Sequence, residues 1–318
     1  MVIGIDMMGG DYAPQQALLG VDLFLADAVP GIELVLIGDE QVLRKHFPSL
    51  PSTVSFVHAT EVIDMHEPPT RALRDKPGSS MNIGFDLLAK GTVDAFVSAG
   101  NTGAMMVGVF YTIKAIEGVL RPTISTVIPK VQGGYGLILD VGLQADCKPE
   151  NLLQNAILGS IYAQNILEIE NPTVGLINIG EEEGKGNLLA QAAYRLLKEN
   201  KFINFIGNIE GREILTGKAD VMVCDGFTGN VILKLGESIF DIAKSRNLDE
   251  DDYFKRFNFE TYGGTPILGV DKPVIVGHGI STPKAYRNMI HLATKMIETK
   301  LLEKMKEKFV SEEGEEAS

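Results

Sequence analysis

Pro172 to Asn200 reads PTVGLINIGEEEGKGNLLAQAAYRLLKEN. Its apolar, β-branched opening stops at glycine, and the run after Asn187 carries apolar residues at helical spacing, which predicts strand, tight loop and helix in succession. Such a loop is a place to bind an anion. Lys185 stands between Gly184 and Gly186, so a ligand can approach the backbone while the ammonium supplies charge, and the helix start presents unpaired N–H groups. Glu181, Glu182 and Glu183 would repel a dianion unless they point away, hold a metal or cap the helix, so this segment alone sets neither substrate nor reaction.

The same alternation extends outward in both directions. VIGI, IELVLIG, VSFVHA, DAFVSAG and GLILDVG precede this segment, and NFIGN, DVMVCDG and PVIVGHG follow it, with longer helical patterns between them. That order predicts an α/β fold, a mainly parallel twisted sheet with helices on both faces. Helices are expected to begin near Pro14, Ser79, Asn101, Glu150, Asn187, Thr228 and Pro283. Ligands of such folds sit beyond the carboxyl ends of the strands, where Asp6–Asp11, Ser98–Ala104, Asn178–Asn187, Cys224–Asn230 and Gly277–Thr282 collect glycines and polar residues. These helix starts are expected to serve one anionic group, a phosphate or a phosphate-bearing substrate. AGNTG at Ala99–Gly103 echoes DGFTG at Asp225–Gly229 and hints at two equivalent lobes.

With 318 residues, 45% of them hydrophobic and 22% charged, the chain has ample core. No linker-like stretch divides it, so residues 1–310 are expected to form one α/β catalytic domain, and the acidic SEEGEEAS of 311–318 a disordered tail. A net charge of -13 argues against nucleic acid and gives no general attraction to anionic membrane. The start lacks a basic leader, no apolar run is long enough to span a bilayer, and the two cysteines read as free thiols, which together point to the cytoplasm. Basic residues gather only locally, at Arg71, Arg74 and Lys76 and at Lys295, Lys300, Lys304, Lys306 and Lys308.

Neither dinucleotide fingerprint nor P-loop occurs, and no cofactor is expected. The five histidines are scattered and the cysteines far apart, which disfavours zinc; no resident metal is expected, though magnesium at Glu181, Glu182 or Asp225 stays open. Cys224 reads as a core thiol. His278, between Gly277 and Gly279, is the histidine placed for a site role. Asn101, Thr102, Asn187 and Asn230 are short polar groups at helix starts, fitted to donate to oxygen or to cap, while Asp6, Asp11 and Asp225 suit turns and caps.

In order, DMMGGDYAP, HATEVI with SSM, SAGNTGAMM, DCKPEN, NIGEEEGKGN, NIEGREILTGKADVMVCDGFTGN and YGGTPILGV with VGHG resemble the bacterial phosphate acyltransferases of phospholipid synthesis, the PlsX family, over nearly the whole chain. The resemblance implies transfer of a long-chain fatty acyl group from acyl carrier protein to inorganic phosphate. The acyl phosphate product would pass to a glycerol-3-phosphate acyltransferase. It also implies a homodimer, a three-layer fold like the isocitrate and isopropylmalate dehydrogenases, and peripheral membrane contact through the helix of Ile232, Leu235, Ile239 and Ile242. Phosphate is an anion already, so attack on a thioester needs positioning and oxyanion stabilisation more than a strong base. Lys185, Gly186 and Asn187 are therefore assigned to phosphate with Gly9, Gly10, Asn101, Thr102 and Gly103. Asn230 is assigned to the oxyanion and His278 to the departing thiolate. Arg71, Arg74, Lys300 and Lys304 are candidates for docking the acidic carrier protein. Met7, Leu143, Gln144 and Ile280 depart from the usual pattern. A hydroxy-acid dehydrogenase of the same fold and a non-catalytic phosphate-ester-binding scaffold are the alternatives.

Overall fold

The computed structural model describes the backbone of residues 1–316, and the side chains of these apart from residues 259 and 311–316. The chain divides into two compact units, Met1–Ala115 with Phe259–Leu302, and Ile116–Asn258 with the chain from Glu303 onward. Unit 1 opens with β1 (Val2–Asp6), α1 (Gln15–Ala26), β2 (Glu33–Gly38), α2 (Glu40–His46), β3 (Val54–His58), α3 (Pro69–Asp75), α4 (Ser80–Ala89), β4 (Ala95–Ser98) and α5 (Thr102–Gly108), which runs into a π-helical turn. Unit 2 holds β5 (Thr123–Pro129), β6 (Tyr135–Leu139), α6 (Pro149–Asn165), β7 (Thr173–Asn178), α7 (Leu188–Glu199), β8 (Asn204–Glu210), β9 (Val221–Val223) and α8 (Gly226–Ser245). Unit 1 resumes with β10 (Gly264–Leu268), β11 (Val274–Gly277) and α9 (Pro283–Glu298), and α10 (Leu301–Glu316) follows.

In unit 1 the strands lie in the order β3-β2-β1-β4-β11-β10, parallel except for β10 against β11. In unit 2 the order is β5-β6-β9-β7-β8, parallel except for β5 against β6. Central strands covered on both faces need no alternation. β4 and β11 are buried at every position, and β1 from Ile3 onward, the continuous apolar run that the sequence carries. Phe85 on α4 meets Phe96 on β4 edge to face, with ring centroids 5.2 Å apart, at the centre of the unit 1 core. Ile128, Ile138, Ile209 and Met222 form a core of unit 2.

Every strand expected from the sequence is present, and so is an α/β architecture with mainly parallel sheets. Two strands escaped sequence reading, β5 (TISTVIP) and β10 (GTPIL), both antiparallel and both containing proline, which argues against a strand on its face. At the other end, α10 continues to Glu316 through most of the expected tail. Leu301, Met305 and Phe309 are buried one turn apart, and the lysines and glutamates between them favour helix. The last two residues of the expected tail, 317–318, lie outside the described residues.

Candidate functional site

In unit 1, three βα loops meet beyond the strand ends. Asp6 closes β1 and is almost wholly buried; its Oδ1 accepts from the backbone N–H of Met8 and Gly9, both at 3.0 Å. Its Oδ2 accepts from Ser98 Oγ at 2.7 Å, and Ser98 Oγ accepts in turn from Gly100 N–H. One carboxylate thus ties the end of β1 to the end of β4. Gly10 has φ +108°, a conformation that a side chain would strain, and Asp11 N–H reaches the carbonyl of Gly279 at 2.7 Å, which brings in the loop after β11. His278 lies in that loop, half-buried, with its carbonyl accepting from Ser281 N–H.

Asn101 caps α5, its Oδ1 accepting from Ala104 N–H at 3.0 Å. Its Nδ2 is directed at the carbonyls of Asp64, Met65 and Glu67, at 3.0 to 3.2 Å. That amide pins a neighbouring loop. What α5 offers an anion is the N–H groups of Thr102 and Gly103, so the donors assigned to phosphate here are main-chain ones.

Unit 2 uses the same device more heavily. Asp140 follows β6, fully buried. Its Oδ1 accepts from Thr123 Oγ1 and Ile124 N–H, and its Oδ2 from the N–H groups of Gly142, Leu143 and Gln144 at 2.6 to 3.0 Å. Sequence reading missed this aspartate, although Asp-x-Gly directly after a strand was a signal to test. The start of α8 packs onto the loop so closely that a Cβ on Gly229 would stand 1.9 Å from the Asp140 carbonyl oxygen. Asn230 Nδ2 donates to Val141 O at 3.0 Å, and Asp225 caps α8 through Thr228 N–H and Oγ1. Gln144 is buried in a reciprocal amide pair with Asn155 and donates to Pro122 O; its extra length is used to hold the loop.

The loop between β7 and α7 is braced from inside. Asn178 Nδ2 donates to Lys185 O at 3.1 Å, and its Oδ1 accepts from Ile179 N–H. Gly186 at φ +89° leaves no room for a Cβ, which would lie 2.3 Å from Asn178 Oδ1. Asn187 caps α7 by accepting from Ala190 N–H at 2.8 Å. Two of the three glutamates are engaged elsewhere: Glu183 pairs with Lys198 at 2.8 Å, and Glu181 with Lys218 at 2.7 Å. Lys185 is exposed and, among the described residues, forms no ion pair. A cavity of about 590 Å³ lies beside this loop, bordered by Asp146, Cys147, Asn187, Leu188, Phe227 and Thr228.

Burial first, then the carboxylates of Asp225 and Asp140, push the Cys147 thiol up to about 11, and burial pushes Cys224 well above its ordinary range. Both thiols therefore stay protonated at neutral pH, and neither is an activated nucleophile. Among the described residues no group of three or more His, Cys, Asp or Glu side chains is placed to hold a metal. Arg71 and Arg74 are well exposed and share Asp75, at 3.2 and 2.8 Å. Lys304 hydrogen-bonds Asn165 Oδ1, and Lys300 sits at φ +53° between α9 and α10. On α8, Phe227, Val231, Leu235 and Ile242 are exposed at helical spacing, whereas Ile232 and Ile239 are half-buried. The exposed stripe is thus rotated from the one expected. AGNTG and DGFTG both open helices, but the cap is the third residue of the first and the first residue of the second, so the echo is out of structural register.

The family model described as "Fatty acid synthesis protein" matches residues 1–304. A phosphate acyltransferase of Thermoanaerobacterium thermosaccharolyticum is 45% identical, over 94% of this chain and 93% of its own. The chain belongs to the phosphate acyltransferase family. Among solved structures, a phosphotransacetylase from Streptococcus pyogenes shares the fold with a TM-score of 0.63 at 14% identity, covering 93% of this chain and 94% of its own. A 4-hydroxythreonine-4-phosphate dehydrogenase from Klebsiella pneumoniae shares it at 0.50 and 13%, covering 93% and 97%. The phosphate acyltransferases are acyltransferase enzymes of fatty acid and phospholipid synthesis, and membership favours that reading over a dehydrogenase or a non-catalytic scaffold.

Proposed function

We propose that this chain transfers a long-chain acyl group from acyl carrier protein to inorganic phosphate, giving acyl phosphate for a downstream glycerol-3-phosphate acyltransferase. The observation that carries the reading is Lys185, an ammonium without an ion pair among the described residues, set between two glycines while Glu181 and Glu183 are held by other lysines. Lys185 and the N–H groups at the start of α7 hold phosphate in unit 2, and Asn230 or an N–H beside it faces the oxyanion. In unit 1 the main-chain donors near Gly10, Thr102 and Gly103 are assigned to phosphate, the Gly9 N–H being held by Asp6, and His278 is assigned to the leaving thiol. A phosphate oxygen adds to the thioester carbonyl carbon, the tetrahedral intermediate expels the carrier thiolate as the C–S bond breaks, and the thiolate takes up a proton. A thiol of pKa roughly 8.5 leaves readily, so His278→Ala is expected to cost less than Lys185→Ala.

The carrier protein is acidic and this chain is strongly negative, so docking needs a local patch; Arg71 and Arg74 together outweigh Asp75. The exposed stripe Phe227, Val231, Leu235 and Ile242 suits a second copy in a homodimer or a peripheral membrane contact in a cytoplasmic enzyme. Purified protein incubated with palmitoyl acyl carrier protein and phosphate should release carrier thiol and form hydroxylamine-trappable acyl phosphate, both only when phosphate is present. Folded protein that forms neither product across acyl lengths would refute the reading.

A further inference from the structure

Unit 2 contains a second cavity, of about 480 Å³, adjoining the first through Asn187, Leu189, Asp225 and Thr228. Its lining has two parts. Asn178, Gly186 and Asn187 border it at the lysine loop, and Leu152, Leu176, Ile177, Ala190 and Ile232 line it elsewhere. An aliphatic-lined cleft of this size that opens to solvent leaves apolar surface wet unless a ligand covers it. Its rim is equally unusual. Leu188 at 85% and Ile179 at 81% are the most exposed large apolar side chains among the described residues, and they border these two cavities. Asp225, the carboxylate common to both, has its two oxygens taken by Thr228 N–H and Oγ1.

An aliphatic cavity beside a lysine-bearing anion loop has the pattern of one kind of molecule, a hydrocarbon chain with an anionic head. We propose that this cavity of unit 2 is the acyl-chain pocket, holding the saturated tail of acyl phosphate whose head lies at Gly184–Asn187. The inference rests on the phosphate-transfer reading and adds where the chain goes. Ile232, half-buried on α8, and Ala190 on α7 set how much chain fits.

Stable mimics of the product test this: n-alkyl phosphonates of increasing length, titrated calorimetrically into the full chain below their micelle concentrations. Affinity should rise about fourfold per methylene until the cavity is full and then level off. Ile232→Phe and Ala190→Leu should bring the levelling to shorter chains, with about tenfold weaker binding of the longest. Because either substitution can disturb folding, Ile179→Ser on the exposed rim serves as a third variant, expected to weaken long-chain binding two- to fourfold and methylphosphonate not at all. Affinity independent of chain length in the wild type, or an unchanged profile in variants with native unfolding curves, overturns the pocket. Phosphate-dependent turnover by the wild type is scored separately. Turnover with a flat alkyl profile sinks the pocket and leaves the reaction, whereas a rising profile without turnover sustains the pocket and sinks the reaction.

Discussion

Asp6 and Asp140 do the same job in two units with different thoroughness. Each ends a parallel strand, is buried, and gathers the N–H groups of the loop that follows. Asp6 takes two backbone donors and one hydroxyl, and that hydroxyl can itself accept. Asp140 takes four backbone donors and a hydroxyl, with N–H groups facing both of its oxygens. The loops nearby differ correspondingly. In unit 1 the cap Asn101 is committed to the 64–67 loop, while in unit 2 the braced 178–187 loop leaves Lys185 exposed beside open cavities. A rigidly held frame around an open loop is what a preorganised anion site requires.

Gly229→Ala tests the frame most harshly. A Cβ 1.9 Å from a carbonyl oxygen forces the start of α8 off the Asp140 loop, and a loss of about 3 kcal/mol or more, or failure to fold, is expected in urea unfolding. Asp140→Asn comes next, at about 3 kcal/mol, because either amide orientation sets an NH₂ group against backbone N–H donors. Asp6→Asn should cost about half of that, since its NH₂ can donate to Ser98 Oγ. Equal losses at the two positions would end the comparison.

Asn101→Ala should lower stability by about 1–2 kcal/mol through the lost cap and the freed 64–67 carbonyls, with a comparable change at neutral and mildly alkaline pH. Acid unfolding gives the smallest effects. Hydrogen bonds from Arg287, then His291, lower the Asp27 carboxyl to about 2 from 3.8. A depressed folded pKa contributes stability that is complete above the ordinary value and is lost as pH falls through about 2. Asp27→Asn should therefore be slightly less stable than wild type at neutral pH and converge with it near pH 2. For Asp220, burial acts upward, but hydrogen bonds from Lys130 and Thr173 outweigh it and hold the carboxyl low. Asp220→Asn should therefore show the same sign, losing its disadvantage as pH falls.

What the sequence revealed follows a physical line. Parallel strands buried on both faces write themselves as apolar runs, and caps such as Asn187 and Thr282 declare helix starts, so the α/β frame could be read directly. β5 and β10 could not, because proline and hydroxyl residues interrupt the apolar runs, even though each pairs with the next strand in the chain. The division into two units left no linker to see. At the site, Lys185 and the glycines were legible, since charge and backbone freedom are local properties. The committed amide of Asn101 was not, because its acceptors lie 34 to 37 residues away. Nor was the freeing of Lys185, which depends on Lys198 and Lys218 drawing Glu183 and Glu181 aside.

The central claim is that this exposed lysine holds the phosphate that attacks the thioester, and the phosphate saturation curve of Lys185→Ala tests it most directly. Initial rates of carrier-thiol release should show the phosphate KM raised at least about tenfold, from loss of one charge-assisted hydrogen bond, with the KM for acyl carrier protein and the unfolding curve near wild type. Saturation by phosphate at wild-type concentrations in a natively folded Lys185→Ala protein would contradict it.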